Sequence, residues 1–231
     1  LYADLMSGGF ACAHNGNLTN ASALREKLVS RGSIFQSTSD TETILQLVAQ
    51  SERKQIVDKL IDALFQIHGA YSLVILTNKK LIGVRDPYGI RPLVLGDLNG
   101  APVLASESCA LDIIGAKFVR EIENGEIIII SEKGMESIRP FPKVAERPCI
   151  FERIYFSRPD SILGGNTVYS YRKNLGIELA KEHQVDADIV VPVPDSGVPA
   201  ALGYAQQSSM PFELGIIRNH YVCLLYTSPS P

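Results

Sequence analysis

The sequence has no excess of positive charge: 22 Lys and Arg against 25 Asp and Glu leave a formal net charge of −3, with a pI near 5.8. A basic field able to hold a nucleic-acid backbone is therefore absent. Cysteine is sparse, and Cys12, Cys109, Cys149 and Cys223 stand far apart with no CxxC pair. That spacing fits neither a short secreted disulfide framework nor an oxidising compartment, and points to a reducing cytoplasm. The histidines His14, His68, His183 and His220 show no i, i+4 pairing, which leaves a zinc site without support. No apolar run approaches the roughly 18 residues of a membrane span, and no signal peptide is visible. An initiating Met is also missing: the chain opens on Leu1 and reads as an internal fragment that starts mid-domain.

What is present describes an ordinary globular protein. The 231 residues are 45% hydrophobic and 20% charged, with a mean hydropathy of +0.08. That length buries a real core as one large domain or two smaller ones.

Two regimes follow one another along the chain. Ala21, Leu24 and Leu28 predict a helix over 21–31 that stops at Gly32. Ser39-Asp40-Thr41-Glu42 has the S-x-x-E form of a capping box, ahead of Ile44, Leu45 and Val48 on one helical face. Val57, Leu60, Ile61 and Leu64 predict a third helix over 54–66. Strands are predicted at 70–77, 80–86, 93–96, 102–106, 117–122 and 126–131. They are punctuated by Asn78-Lys79, Pro87-Tyr88-Gly89, Asn99-Gly100 and Asn124-Gly125. Links this short favour hairpins, hence an antiparallel sheet flanked by helices.

Past Pro148 the rhythm changes. A helix over 168–183, carrying Arg172, Leu175, Leu179 and Ala180, leads to an all-apolar strand at 188–193. Pro194-Asp195-Ser196-Gly197 then opens a second helix, and 213–217 reads as another strand. Strand–helix–strand with an all-apolar strand indicates a parallel sheet covered on both faces. Pro140, Pro142 and Pro148 mark the boundary, giving domains over 1–148 and 149–222. Residues 223–231 have no period, end in Ser and Pro, and read as a non-native tail.

Local chemistry leaves alternatives at each candidate site. Asn15-Gly16 is a common turn dipeptide; equally, a Gly backbone N–H beside an Asn amide can hold an oxyanion. Asp40 either favours a helix N-terminus or faces a pocket as a partner for a substrate ammonium. Pro192–Gly197 is a plain strand–helix turn, or the phosphate-binding end of a parallel strand, with Asp195 and Ser196 oxygens suited to Mg²⁺. Cys12 and Cys109 read as core packing, and Cys149 sits at the junction of the two regimes.

Taken in order, AHNGNLTNA, GSIFQSTSDTE, RDPYGIRPL, VLASESCALD, IYFSRPDS, VPVPDSGVPAALGYA and ELGIIRNHYV resemble the glutamine phosphoribosylpyrophosphate amidotransferase (amidophosphoribosyltransferase) family, from Leu1 to Val222. The resemblance implies an α+β N-terminal nucleophile glutaminase domain, a four-layer αββα sandwich, here incomplete. It is followed by the start of an α/β type I phosphoribosyltransferase domain. In such enzymes an N-terminal cysteine thiolate hydrolyses glutamine, with the chain's own α-amine as base. The ammonia displaces pyrophosphate from 5-phosphoribosyl pyrophosphate to give 5-phosphoribosylamine, the first committed intermediate of purine synthesis.

By the same resemblance Asn15 and Gly16 match the oxyanion hole, and Asp40 matches the carboxylate for the glutamine α-amino group. Asp195 and Ser196 match the pyrophosphate loop, with Ser196 near the Mg²⁺. Cys149 matches one of four ligands to the [4Fe–4S] cluster of iron–sulfur members, the type that the Asp-Ser loop fits. Implied partners are glutamine, phosphoribosyl pyrophosphate, purine nucleotide inhibitors and further copies of the full-length chain, with no nucleic acid and no membrane. The nucleophilic cysteine and the carboxylate-gripping arginine would precede Leu1, and the phosphoribosyl loop and other cluster cysteines would follow Val222. The 231 residues alone are therefore expected to be inactive. Two other functions share parts of the pattern. A glutaminase feeding a hexose phosphate would not carry VPVPDSGVPAALGYA, and a non-enzymatic phosphoribosyltransferase-fold regulator would not carry the glutaminase half.

Overall fold

Hairpin chemistry builds most of the first 149 residues. In a computed structural model describing residues 1–221, Asn99 and Gly100 both take positive φ, 54° and 89°. That is the turn form whose twist matches the flanking strands. The strands are β1 (Tyr2–Leu5), β2 (Gly8–Leu18), β3 (Gly69–Thr77), β4 (Lys80–Arg85), β5 (Val94–Leu98), β6 (Ala101–Ala105), β7 (Lys117–Glu121), β8 (Ile127–Ser131) and β9 (Gly134–Ile138). They form two antiparallel sheets, ordered β1-β2-β3-β4-β8-β9 and β6-β5-β7. Helices α1 (Ala21–Ser30), α2 (Asp40–Gln50) and α3 (Ile56–Leu64) join the first part of the chain, and α4 (Ser108–Ile113) follows β6.

Side-chain alternation sorts these elements into four layers. Phe10, Cys12, Leu73, Ile75, Ile127 and Ile129 face α1–α3, sharing a core with Leu28, Ile44 and Leu60. Their neighbours Val74, Ile128 and Ile130 point the other way, onto Leu95 and Leu104 of the smaller sheet and the adjoining Leu93 and Ile122. The outer face of that sheet, at Val94 and Val103, packs on Leu111 of α4. A strand covered on both faces needs apolar residues at every position, which is why β8 reads Ile-Ile-Ile-Ile.

Glu126 is one of the acidic groups buried inside this unit. The Glu126 side chain is fully buried, and Arg120 grips it through Nη1 at 2.8 Å and Nη2 at 2.6 Å. The Glu123 N–H at 2.7 Å and the Ser137 hydroxyl at 2.7 Å also donate to it. Burial alone would raise its pKa, but these donors outweigh burial and bring it from 4.5 down to about 2. Because the folded pKa lies below the unfolded one, the contribution is fully present above about pH 4.5 and is lost as pH falls through about 2. Arg120 is 36% exposed, so screening trims the effect to roughly 2 kcal/mol. Urea unfolding at stepped pH will show Glu126→Gln less stable at pH 7 and with a shallower loss of stability below pH 4.5. Equal pH slopes would refute this.

The second compact unit starts at Ile150. A π-helical turn at Glu152–Phe156 precedes the small hairpin β10 (Ile162–Leu163) and β11 (Asn166–Thr167), then α5 (Val168–Glu182) and α6 (Val198–Ser208). Thr167 caps α5 by accepting the Ser170 N–H at 3.2 Å. The buried face of α5 is Val168, Arg172, Gly176 and Ala180, while Leu175 and Leu179 are exposed. Arg172 is buried because its Nε donates to the Arg153 carbonyl at 2.7 Å and its Nη2 to the Ser157 carbonyl at 2.9 Å.

Gly176 and Gly203 let the backbones of α5 and α6 touch. A Cβ at Gly176 would stand 1.8 Å from the Ala200 carbonyl oxygen, and one at Gly203 would stand 2.0 Å from that of Lys173. The strands expected at 188–193 and 213–217 reduce to one parallel bridge, Val190 with Phe212, held by Val190 N–H to the Pro211 carbonyl at 2.9 Å and Glu213 N–H to the Val190 carbonyl at 3.0 Å. Parallel strands occur where both faces of the sheet are covered. Ile189, Val193, Leu214 and Ile217 are instead exposed here. The expected tail, 223–231, lies outside the described residues.

Candidate functional site

Asn15-Gly16 is not a turn. The dipeptide lies inside β2, which pairs without interruption with β3 from Phe10 opposite Thr77 to Leu18 opposite Gly69. Asn15 faces Ser72, and Gly16 faces Tyr71. Nine paired residues outweigh the local turn preference of an Asn-Gly dipeptide. The glycine is required for a different reason: its φ is +148°, and a Cβ there would stand 2.0 Å from the Ala70 carbonyl oxygen.

Alternation along β2 sends neighbouring side chains to different layers. Phe10, Cys12 and Leu18 enter the core beneath the helices, and His14 on the same face meets Thr41 of α2, Nδ1 to Oγ1 at 3.1 Å. Asn15 points the other way. Its Nδ2 donates to Ser106 Oγ at 3.0 Å, and its Oδ1 accepts from Arg91 Nη2. Arg91 belongs to the loop after β4, which folds around Asp86. That fully buried carboxylate accepts the N–H groups of Tyr88 at 3.0 Å, Ile90 at 3.1 Å and Arg91 at 3.1 Å. Burial raises the pKa of Asp86 above the ordinary carboxylate value, and these N–H bonds only partly offset it.

Asp40 opens α2. Ser39 caps the helix as expected, its hydroxyl accepting the Thr41 N–H at 3.3 Å. The second half of the expected capping box is absent. Glu42 does not return to Ser39; it accepts the N–H groups of Gln36 at 2.7 Å and Ser37 at 2.8 Å, and the Ser37 hydroxyl at 2.6 Å. Three donors in the preceding loop outcompete one at the cap. Asp40 Oδ2 accepts the Leu18 N–H at 2.9 Å, which ties α2 to the end of β2. Its Oδ1 lies 3.6 Å from His14 Nδ1, and the side chain keeps 23% of its surface open. Asn15, Gly16 and Asp40 are therefore fastened to one strand, with the Asp40 carboxylate partly accessible.

The described free thiols are Cys12, Cys109 and Cys149. Cys12 is buried, and burial pushes its thiol up to about 12. Cys149 is half-buried, its N–H donating to the Ile90 carbonyl at 3.3 Å. Among the described residues no three His, Cys, Asp or Glu side chains converge on a metal position. Cys149 alone does not make a cluster site. In the second unit, Asp195 and Ser196 lie in the turn before α6, after a cis Pro194–Asp195 peptide, and Asp195 Oδ2 pairs with Arg218 Nη1 at 2.9 Å in the open. Carboxylate and hydroxyl oxygens are the ligand class of Mg²⁺, which is commonly held by one or two such groups together with substrate phosphates. Asp195 and Ser196 fit that role. No helix among the described residues is long and apolar enough to cross a membrane.

Nothing in the sequence paired Arg91 or Ser106 with Asn15, or His14 with Thr41. Arg91 and Asn15 are 76 residues apart, and Asn15 and Ser106 are 91 apart. RDPYGIRPL carried a family resemblance, but no local period announces that its last Arg reaches another strand.

Residues 4–112 match the glutamine amidotransferase domain family. The whole chain is 56% identical, over 235 residues, to an amidophosphoribosyltransferase of Rhizobium etli, of which it covers 47%. It is 45% identical, over 230 residues, to that of Bacillus subtilis, covering 48%. In three dimensions all of the chain matches 51% of the glutamine phosphoribosylpyrophosphate amidotransferase of B. subtilis complexed with ADP and GMP, with a TM-score of 0.93 and 45% identity. The chain spans about half the length of the curated relatives it matches.

Proposed function

Because the chain is homologous over its whole length to amidophosphoribosyltransferases, we propose that the protein carries ammonia from glutamine to 5-phosphoribosyl pyrophosphate. The products are 5-phosphoribosylamine, glutamate and pyrophosphate, at the first step of purine synthesis. The observation that carries the proposal is the extent of the identity: it continues beyond the glutaminase match at residue 112 and through the turn at Pro194–Gly197. A glutaminase serving a hexose phosphate accounts for the first unit only.

In this proposal the Gly16 N–H and the Asn15 amide donate to the oxyanion formed when the glutamine carboxamide is attacked. Asp40 pairs with the substrate α-ammonium at its accessible edge. Asp195 and Ser196 meet the pyrophosphate, where Mg²⁺ would neutralise charge on the leaving group. Cys12 takes no part, and residues 1–231 alone release no glutamate. ADP and GMP on the B. subtilis relative support purine nucleotides as inhibitors. A cytoplasmic homo-oligomer completes the proposal.

The test is an assay of the intact enzyme with glutamine and either acceptor. Glutamate and pyrophosphate forming one to one with phosphoribosyl pyrophosphate, and no amination of fructose 6-phosphate, is the expected result. Amination of the hexose phosphate would overturn the proposal.

A further inference from the structure

We infer that Arg91 is a positioning residue for glutamine hydrolysis, holding the Asn15 amide so that its NH₂ end, not its carbonyl, meets the oxyanion. The inference rests on the proposed role of Asn15 as an oxyanion donor and deepens it.

An asparagine amide is nearly symmetric in shape, with an acceptor at one end and donors at the other. A half-turn exchanges them. The exchange would be ruinous at an oxyanion hole, because a carbonyl oxygen facing the developing charge repels it. Arginine offers donors only, so Arg91 Nη2 against Asn15 Oδ1 admits one orientation. Nδ2 is then the end left to donate, and it points at the Ser106 hydroxyl, 3.0 Å away. A cation on the carbonyl oxygen also draws electron density through the amide, which strengthens its N–H groups as donors.

Arg91 is itself placed by backbone contacts. Asp86 accepts its N–H at 3.1 Å, and Arg85 Nε donates to its carbonyl at 3.0 Å. The buried Asp86 thus fixes the loop, the loop fixes Arg91, and Arg91 fixes an amide on β2.

A double-mutant cycle in the intact enzyme tests this. Arg91→Met keeps the apolar stem and removes the donors. The expected kcat for glutamine hydrolysis falls roughly tenfold to a hundredfold, less than the 10²–10³ lost with an oxyanion donor itself. KM for glutamine stays within about threefold. In an Asn15→Ala background Arg91→Met brings no further loss, because it acts through that amide. Arg91→Lys retains a cationic donor group, is expected to fall between wild type and Arg91→Met, and carries the same cycle if Arg91→Met does not fold. Losses that multiply across the cycle, or a folded Arg91→Met with wild-type kcat, would overturn the inference. Full activity of Asn15→Ala would instead overturn the oxyanion role on which it rests.

Discussion

Gly176→Ala will unfold the second unit while leaving the first unit folded. Alanine is the better helix former by about 1 kcal/mol, so propensity alone would favour the change. Space decides otherwise. The added Cβ would lie 1.8 Å from the Ala200 carbonyl oxygen and 2.9 Å from the Tyr204 nitrogen, both backbone atoms of α6 that no rotamer change can move aside. The helices must separate by more than an ångström, which loosens the packing along α5 and α6 that holds most of this unit together. Overpacking of this kind costs about 3 kcal/mol, leaving a net loss of roughly 2 kcal/mol concentrated at the contact between α5 and α6. Limited proteolysis is the measurement: cleavage within residues 150–221 with residues 1–149 protected is expected, and wild-type resistance throughout would refute it. Gly203→Ala added to Gly176→Ala will cost less than it does alone, because the helices are already apart.

Gly16→Ala carries the second large effect, and it strikes fold and chemistry together. Its φ of +148° disfavours any L side chain, and its Cβ would stand 2.0 Å from the Ala70 carbonyl oxygen of β3. Strain of about 1–3 kcal/mol from φ adds to a similar amount from the clash. The expected fall in Tm is on the order of 10 °C for a unit of this size. In the intact enzyme, glutamine hydrolysis by the variant that still folds will drop at least about 100-fold, because the N–H proposed to meet the oxyanion moves with the displaced strand. A melting curve like that of the wild type would show that β2 and β3 approach less closely than described.

What could be read from the sequence was whatever a short stretch decides by itself. Ser39 before Asp40 announces a helix start, Asn99-Gly100 announces a hairpin, and the run Ile127–Ile130 announces a strand covered on both sides. Features decided by distant partners were not legible. Of the four residues read as carrying the helix in α5, Arg172 and Ala180 are buried but Leu175 and Leu179 are exposed, and Gly176 joins the buried face, where close backbone contact and two carbonyl acceptors are available. The polar strand β9 and the six-residue α4 have no period to announce them. Asn15-Gly16 has the composition of a turn, and only the pairing with β3 makes it a strand. Glu42 was assigned the wrong partner because the three donors of Gln36 and Ser37 come from a loop with no repeating pattern.

The alternation of β2 has one more consequence, for insertions and deletions. Phe10, Cys12 and Leu18 are buried on one face, and Asn15 meets Arg91 and Ser106 on the other. Adding or removing one residue between Phe10 and Asn15 would turn the amide into the helix layer or expel the core residues into the other. Either way no point substitution elsewhere restores both. Evolution can therefore rewrite the chemistry of this stretch one side chain at a time, but its length is frozen. Turns such as Asn99-Gly100, which no buried face constrains, are free to grow.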